Sequence, residues 1–128
     1  MEEKKAITCG SAPRPAGPYS QAIAAGAYVF VAGQRGVDPA TGQMGADVGE
    51  QTRLCLENIR RILEAAGSSL NDIVRATVYL ADLADFDAMN QAYREVMPEP
   101  QPARTTVGAT LRGMQVEIEV MALRHPES

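Results

Sequence analysis

Hydrophobic and polar positions change period several times along the chain, and each change marks an element. From Asp47 to Ala66 the residues Val48, Thr52, Cys55, Ile59, Ile62 and Ala66 recur at alternating steps of four and three, one face of a helix. Leu56 and Leu63 widen that stripe, and Glu50, Arg53, Glu57, Arg60, Arg61 and Glu64 cover the remainder. Asp47 suits the N-cap and Gly67 the C′ position. Ile73 to Leu80 then alternates, with Val74, Ala76, Val78 and Leu80 on one face and Arg75, Thr77 and Tyr79 on the other, as a strand does. A second helix starts at about Asp85, with Phe86, Met89, Tyr93 and Val96 as its apolar stripe. Pro98, Pro100 and Pro102 end it and make an extended loop. Thr105–Leu111 and Gln115–Leu123 read as strands, the second with Val116, Ile118, Val120 and Ala122 inward.

The first third is less regular. Ala6 to Cys9 is a short strand candidate, and Ser11 to Gly17 is a loop holding Pro13 and Pro15, with Pro18 next. Tyr28–Val31 is β-branched and aromatic, hence a strand. Val37 to Gly45 carries the turn pairs Asp38-Pro39 and Thr41-Gly42, so Ala22–Val31 and the next extended piece are expected to form a hairpin. The order β, β, (β), α, β, α, β, β predicts an α+β fold, two helices covering one face of a mixed sheet. The other face carries Thr77, Tyr79, Met121 and Leu123 beside charged groups, which predicts an oligomer closing over it.

Composition narrows the chemistry. The 128 residues predict a single domain, 1–128. Twelve Lys plus Arg against sixteen Asp plus Glu give a net charge of −4, which argues against nucleic acid as a partner. Two cysteines make no disulfide framework, and Cys55 belongs to a helix core stripe. The longest apolar stretch, Ala22 to Gly33, falls short of the about 20 residues that span a bilayer, so no membrane is expected. Met1–Lys5 lacks the apolar run of a signal peptide, and a cytoplasmic location follows as an expectation. The one histidine, His125, lies close to the C-terminal end. Ser-His-Asp and Cys-His triads and multi-His zinc sites are thereby set aside, leaving Arg, carboxylate, hydroxyl and backbone groups.

Gly17-Pro18-Tyr19-Ser20-Gln21-Ala22, Gly33-Gln34, Asp38-Pro39-Ala40-Thr41-Gly42, Gln51-Thr52, Asn58-Ile59 and Ala65-Ala66-Gly67 together resemble the RidA/YjgF family. So do Asp85-Phe86, Asn90, Tyr93, Pro102-Ala103-Arg104 and Val116-Glu117-Ile118-Glu119, so that the resemblance covers nearly the whole chain. It implies a chorismate-mutase-like mixed sheet backed by two helices, and a homotrimer with clefts at subunit boundaries. It implies an imine/enamine deaminase that converts reactive 2-imino acids to 2-oxo acids and ammonia without cofactor or metal. Older family labels mention ribonuclease activity and translation inhibition.

On that resemblance Arg104 is the carboxylate anchor, since a guanidinium fork matches a carboxylate. Glu117 alternates with Val116 and Ile118, so it faces away from the apolar row, where a carboxylate can handle water and proton; Glu119 shares its parity as the weaker candidate. A simple hairpin of the last two strands would set Arg104 and Glu117 roughly 13 Å apart at ~3.3 Å per residue. Either the strands are not neighbours, or the pocket draws on two chains. Substrate-binding candidates are Tyr19 in its Gly-Pro loop, the Gly33 amide, Asn90 on the second helix, Thr106, and Arg35. Thr106 stands where relatives often have Cys, which argues for hydrogen bonding over a thiolate. Where similar proteins read Ser-Gly-Gln-x-Pro, this chain reads Ala32-Gly33-Gln34-Arg35-Gly36; a hydroxyl is lost and a cation gained. If Arg35 enters the cleft, a dicarboxylic, aminomuconate-like enamine becomes the alternative substrate. The other readings are a non-catalytic small-carboxylate-binding trimer and, less favoured, a ribonuclease.

Overall fold

Among the described residues six strands form one mixed sheet in the order β1-β2-β3-β6-β4-β5. They are β1 (Lys5–Ile7), β2 (Ala22–Ala25), β3 (Tyr28–Arg35), β4 (Ile73–Leu80), β5 (Ala103–Gly108) and β6 (Val116–Leu123), with helices α1 (Val48–Ala65) and α2 (Phe86–Val96). This is a computed structural model, and it describes residues 3–125. Met1, Glu2 and Pro126–Ser128, which belong to the expected 1–128 domain and N-terminal signal reading, lie outside the described residues. Every strand pair is antiparallel except β4 and β5. The β4-α2-β5 unit is a crossover through a helix, which is how parallel neighbours are joined.

Helix α1 begins where a carboxylate can satisfy its first amides. Asp47 accepts from the Glu50 amide at 2.8 Å, and the Glu50 carboxylate reaches back to the Ala46 amide. It ends in a Schellman turn, with the Ser68 amide bonded to the Leu63 carbonyl and Gly67 at φ +78°. Between these caps Cys55, Leu56, Ile59, Ile62 and Leu63 are fully buried against the sheet. The sheet contributes Val29, Val78, Leu80, Val116 and Ile118 to the same core, and α2 adds Met89 and Tyr93.

Four expectations are corrected. The hairpin lies inside the Ala22–Val31 stretch, not after it: β2 pairs with β3 through a tight turn in which Gly26 takes φ +56°. The first strand is Lys5–Ile7, and Cys9 is instead a buried loop residue. The strand expected at Thr105–Leu111 is Ala103–Gly108. Val74 is exposed, because a bulge between Ile73 and Arg75 in the pairing with β6 turns Ile73 inward in its place.

The sheet face away from the helices carries Tyr28, Phe30, Val107 and Leu123, all exposed, with Thr77, Tyr79, Glu117, Glu119 and Met121 between. No helix among the described residues is long and apolar enough to cross a membrane.

Candidate active site

A second bulge shapes the region around Glu117. Val31 pairs with Val120, but Gln34 pairs with Ile118, so Ala32 and Gly33 together oppose a single residue of β6. The shift reverses the parity of β3. Gln34 points inward and is buried, while Arg35 turns to the open face in register with Glu117. Without the bulge, Arg35 would share the inward parity of Val29 and Val31. Two side chains hold this end of β3. Asn58 donates to the carbonyls of Val37 (2.9 Å) and Arg35 (3.2 Å), and Gln51 bonds Gly45 and Gln115.

Gly33 has a steric reason. A Cβ there would stand 2.6 Å from Glu117 Oε2, so the absence of a side chain is what lets the carboxylate lie against β3. Glu117 is partly buried, and its pKa is raised above the ordinary carboxylate range by that burial and by Glu119, against a smaller opposing pull from Arg35. Glu119, by contrast, accepts a hydrogen bond from the Tyr79 hydroxyl. Among the described residues Glu117 has no such donor.

Tyr19 closes one side. Its hydroxyl accepts from the Ala16 amide at 3.0 Å, and the ring is about half exposed. The loop that carries it is tied down by Gln21, whose side chain accepts from the Cys9 amide (2.6 Å) and donates to the carbonyls of Cys9 (3.0 Å) and Pro13 (2.8 Å). Tyr19, Gly33, Arg35, Arg112, Met114 and Glu117 share a cavity of about 480 Å³, within the usual range for a small-ligand site.

Arg104 lies elsewhere. It pairs in register with the inward-facing Ala76, so it projects on the helix side of β5, the edge strand. Its guanidinium carbon stands 4.8 Å from the Tyr93 ring centre and 5.8 Å from that of Phe86, a stacked cation–π arrangement. No carboxylate among the described residues forms an ion pair with it. Asn90, Tyr93, Pro102 and Arg104 share a cavity of about 280 Å³. Two buried polar atoms beside it, Asn90 Oδ1 and Tyr93 Oη, have no hydrogen-bond partner among the described residues, which in a native fold calls for an explanation. Burial raises the Tyr93 pKa, with Arg104 opposing. Thr106 lies on the same face of β5 as Arg104, in register with Val78, but outside that cavity.

The candidates therefore fall into two groups. Tyr19, Gly33, Arg35 and Glu117 meet at one place, and Asn90 and Arg104 at another. Strand β4 separates β5 from β6, so the hairpin geometry does not occur. Arg104 and Glu117 are two strands apart and three residues out of register, about 10 Å in each direction, and they face opposite sides of the sheet. Sequence reasoning missed the lining role of Tyr93, whose helical spacing marks it only as core. Gln21, Gln51 and Asn58 carried the resemblance without a role; they hold the loops that shape the Glu117 cavity. Cys55 is fully buried, its thiol donating to the Gln34 carbonyl and pushed far up by burial, so it is inert as a nucleophile.

The sequence and the fold match known proteins across nearly the whole chain. The family model described as Endoribonuclease L-PSP matches residues 9–124. The chain belongs to that family, the RidA/YjgF family. A RutC family protein of Pyrococcus horikoshii is 49% identical over 125 residues, covering 97% of this chain and 99% of the relative. A Bos taurus protein named 2-iminobutanoate/2-iminopropanoate deaminase is 40% identical over 126 residues, 96% of this chain and 92% of the relative. Among solved structures, RidA from the Antarctic bacterium Psychrobacter sp. PAMC 21119 gives a TM-score of 0.89 at 39% identity, covering 93% of this chain and 98% of that one. Escherichia coli TdcF with bound serine gives 0.89 at 39% identity, with 94% and 99% covered.

Proposed function

We propose that the protein hydrolyses 2-imino acids, and the enamines that tautomerise to them, to 2-oxo acids and ammonium, in clefts between the subunits of a homotrimer. The observation that carries this reading is the pair of half-sites. Among the described residues, one offers a stacked guanidinium without a carboxylate partner, and the other a partly buried carboxylate of raised pKa without a hydrogen-bond donor. A second copy seated on the open face would bring one chain's Arg104 to another chain's Glu117. The exposed Tyr28 and Phe30 on that face favour such a contact. The names of the mammalian relatives support the reaction.

In this reading Arg104 takes the substrate carboxylate in its fork, with Asn90 and Tyr93 beside it. The iminium carbon is already electrophilic, so positioning and one acid/base group are sufficient. Glu117 accepts a proton from water as its oxygen bonds to the C=N carbon, giving a carbinolamine. It then returns that proton to the nitrogen, the C–N bond breaks as C=O forms, and the hydroxyl proton passes through Glu117 to the departing ammonia, which leaves as ammonium. Only protons and a water are exchanged, so the chemistry calls for no redox cofactor. Tyr19 and the Gly33 amide line the cleft, and Thr106 offers a hydroxyl near Arg104.

A dehydratase that releases 2-iminobutyrate or 2-iminopropionate in situ supplies the test. The protein accelerates formation of the oxo acid, and Arg104→Ala removes the acceleration. Equal rates with and without the protein would end the proposal. The serine in the TdcF structure favours one second reading, a small-carboxylate-binding trimer without turnover. Calorimetric binding of a 2-oxo acid with no imine hydrolysis is the result that would select it.

A further inference from the structure

The Glu117 cavity has an excess of positive charge that imine hydrolysis does not use. Arg35 and Arg112 line it together with Glu117, and Arg14 and Arg35 line the adjoining recess beside Tyr19. Among the described residues none of these three guanidinium groups has a hydrogen-bond or ion-pair partner. Arg35 is built in. The β3 bulge aims it at this face, Asn58 holds its carbonyl, and Gly36 packs so closely on α1 that a Cβ would stand 2.4 Å from the Gln51 carbonyl oxygen. A chain with net charge −4 thus gathers three guanidinium groups beside Glu117, with Glu119 next to it on the same face. Such a cavity favours an anion, because its clustered positive charge attracts one.

We infer that Arg35 and Arg112 form a second anion subsite that selects short 2-imino dicarboxylic acids, the imines of acidic amino acids. This rests on the proposed deaminase reading and specifies its substrate class. The first carboxylate goes to Arg104 and the distal one to Arg35 and Arg112, with the C=N carbon between them near Glu117. The balance is unchanged: water adds, ammonium leaves, and a 2-oxo dicarboxylic acid forms. The reaction that supplies such a substrate is a two-electron oxidation of an acidic amino acid at its Cα–N bond.

Two arms test it on the intact protein. In the first, calorimetry compares 2-oxoglutarate with 2-oxobutyrate. The parent is expected to bind the diacid at least tenfold more tightly, a preference that Arg35→Gln lowers about tenfold and that added salt weakens. In the second, 2-iminoglutarate from an amino-acid oxidase is compared with 2-iminobutyrate, and the diacid-to-monoacid ratio of kcat/KM falls with Arg35→Gln and again with Arg112→Gln. Equal binding of the two oxo acids overturns the inference, as does a preference that neither substitution alters. Diacid-selective binding without any imine hydrolysis would sustain the subsite and defeat the deaminase reading, so the two failures are distinct.

Discussion

Glu117 sits against a glycine, beside one arginine and a second carboxylate, and burial disfavours its charged form. Because its folded pKa is raised, the stability tied to its proton is complete below the ordinary glutamate value and is lost as pH climbs through the folded one. Glu117→Gln removes that loss. Thermal melts at pH 7 are expected to show an unchanged or higher Tm, while imine hydrolysis falls by about 100-fold or more. The acid limb of kcat/KM in the parent should lie above the normal carboxylate range. Gly33→Ala belongs beside it. The nearest atoms to the added methyl all belong to the flexible Glu117 side chain, so the fold is expected to survive and activity to drop with a small change in Tm. A variant as active as the parent would mean that the position of this carboxylate is immaterial. For Arg104→Ala, kcat/KM is expected to fall about 100-fold or more, since two charge-assisted hydrogen bonds of about 1.5–3 kcal/mol each are lost.

At the scale of elements, strong periodicity with chemical punctuation was readable and tertiary adjustments were not. The α1 stripe, its Asp47 cap and its Gly67 stop all stand as read, as do the bounds of β4. The β2–β3 hairpin escaped because an unbroken apolar run hides a turn that only Gly26 marks. Both bulges escaped because alternation is read with a fixed period of two, and an extra residue reverses every side chain beyond it. That is why the face of Val74 was misread and the orientation of Arg35 left open. The separation of β5 from β6 follows from the crossover through α2, which the local pattern does not encode. The polar residues inside the fold were silent for a similar reason: a buried glutamine has no periodicity of its own. Gln21→Ala would leave the Cys9 and Pro13 backbone groups without their partner, so urea unfolding should show a loss of about 1–3 kcal/mol together with weakened substrate binding through the Tyr19 loop. Leu56→Ala, in the α1 core, should cost about 2–5 kcal/mol and leave the chemistry of the surviving folded protein intact.

The whole molecule poses the larger question, because a single chain keeps its cation and its carboxylate on opposite faces of one sheet. A cleft that uses both needs two copies, and a closed ring of copies repeats it at every boundary. Subunit complementation addresses this directly. Arg104→Ala and Glu117→Gln, each inactive alone, are unfolded together in equal amounts, refolded and assayed for imine hydrolysis. If each site takes Arg104 from one chain and Glu117 from its neighbour, random assembly leaves both intact in one half times one half of the sites, and activity returns to about a quarter of the parent's. A mixture that stays at the level of the separate variants, although it assembles, would contradict a site shared between chains.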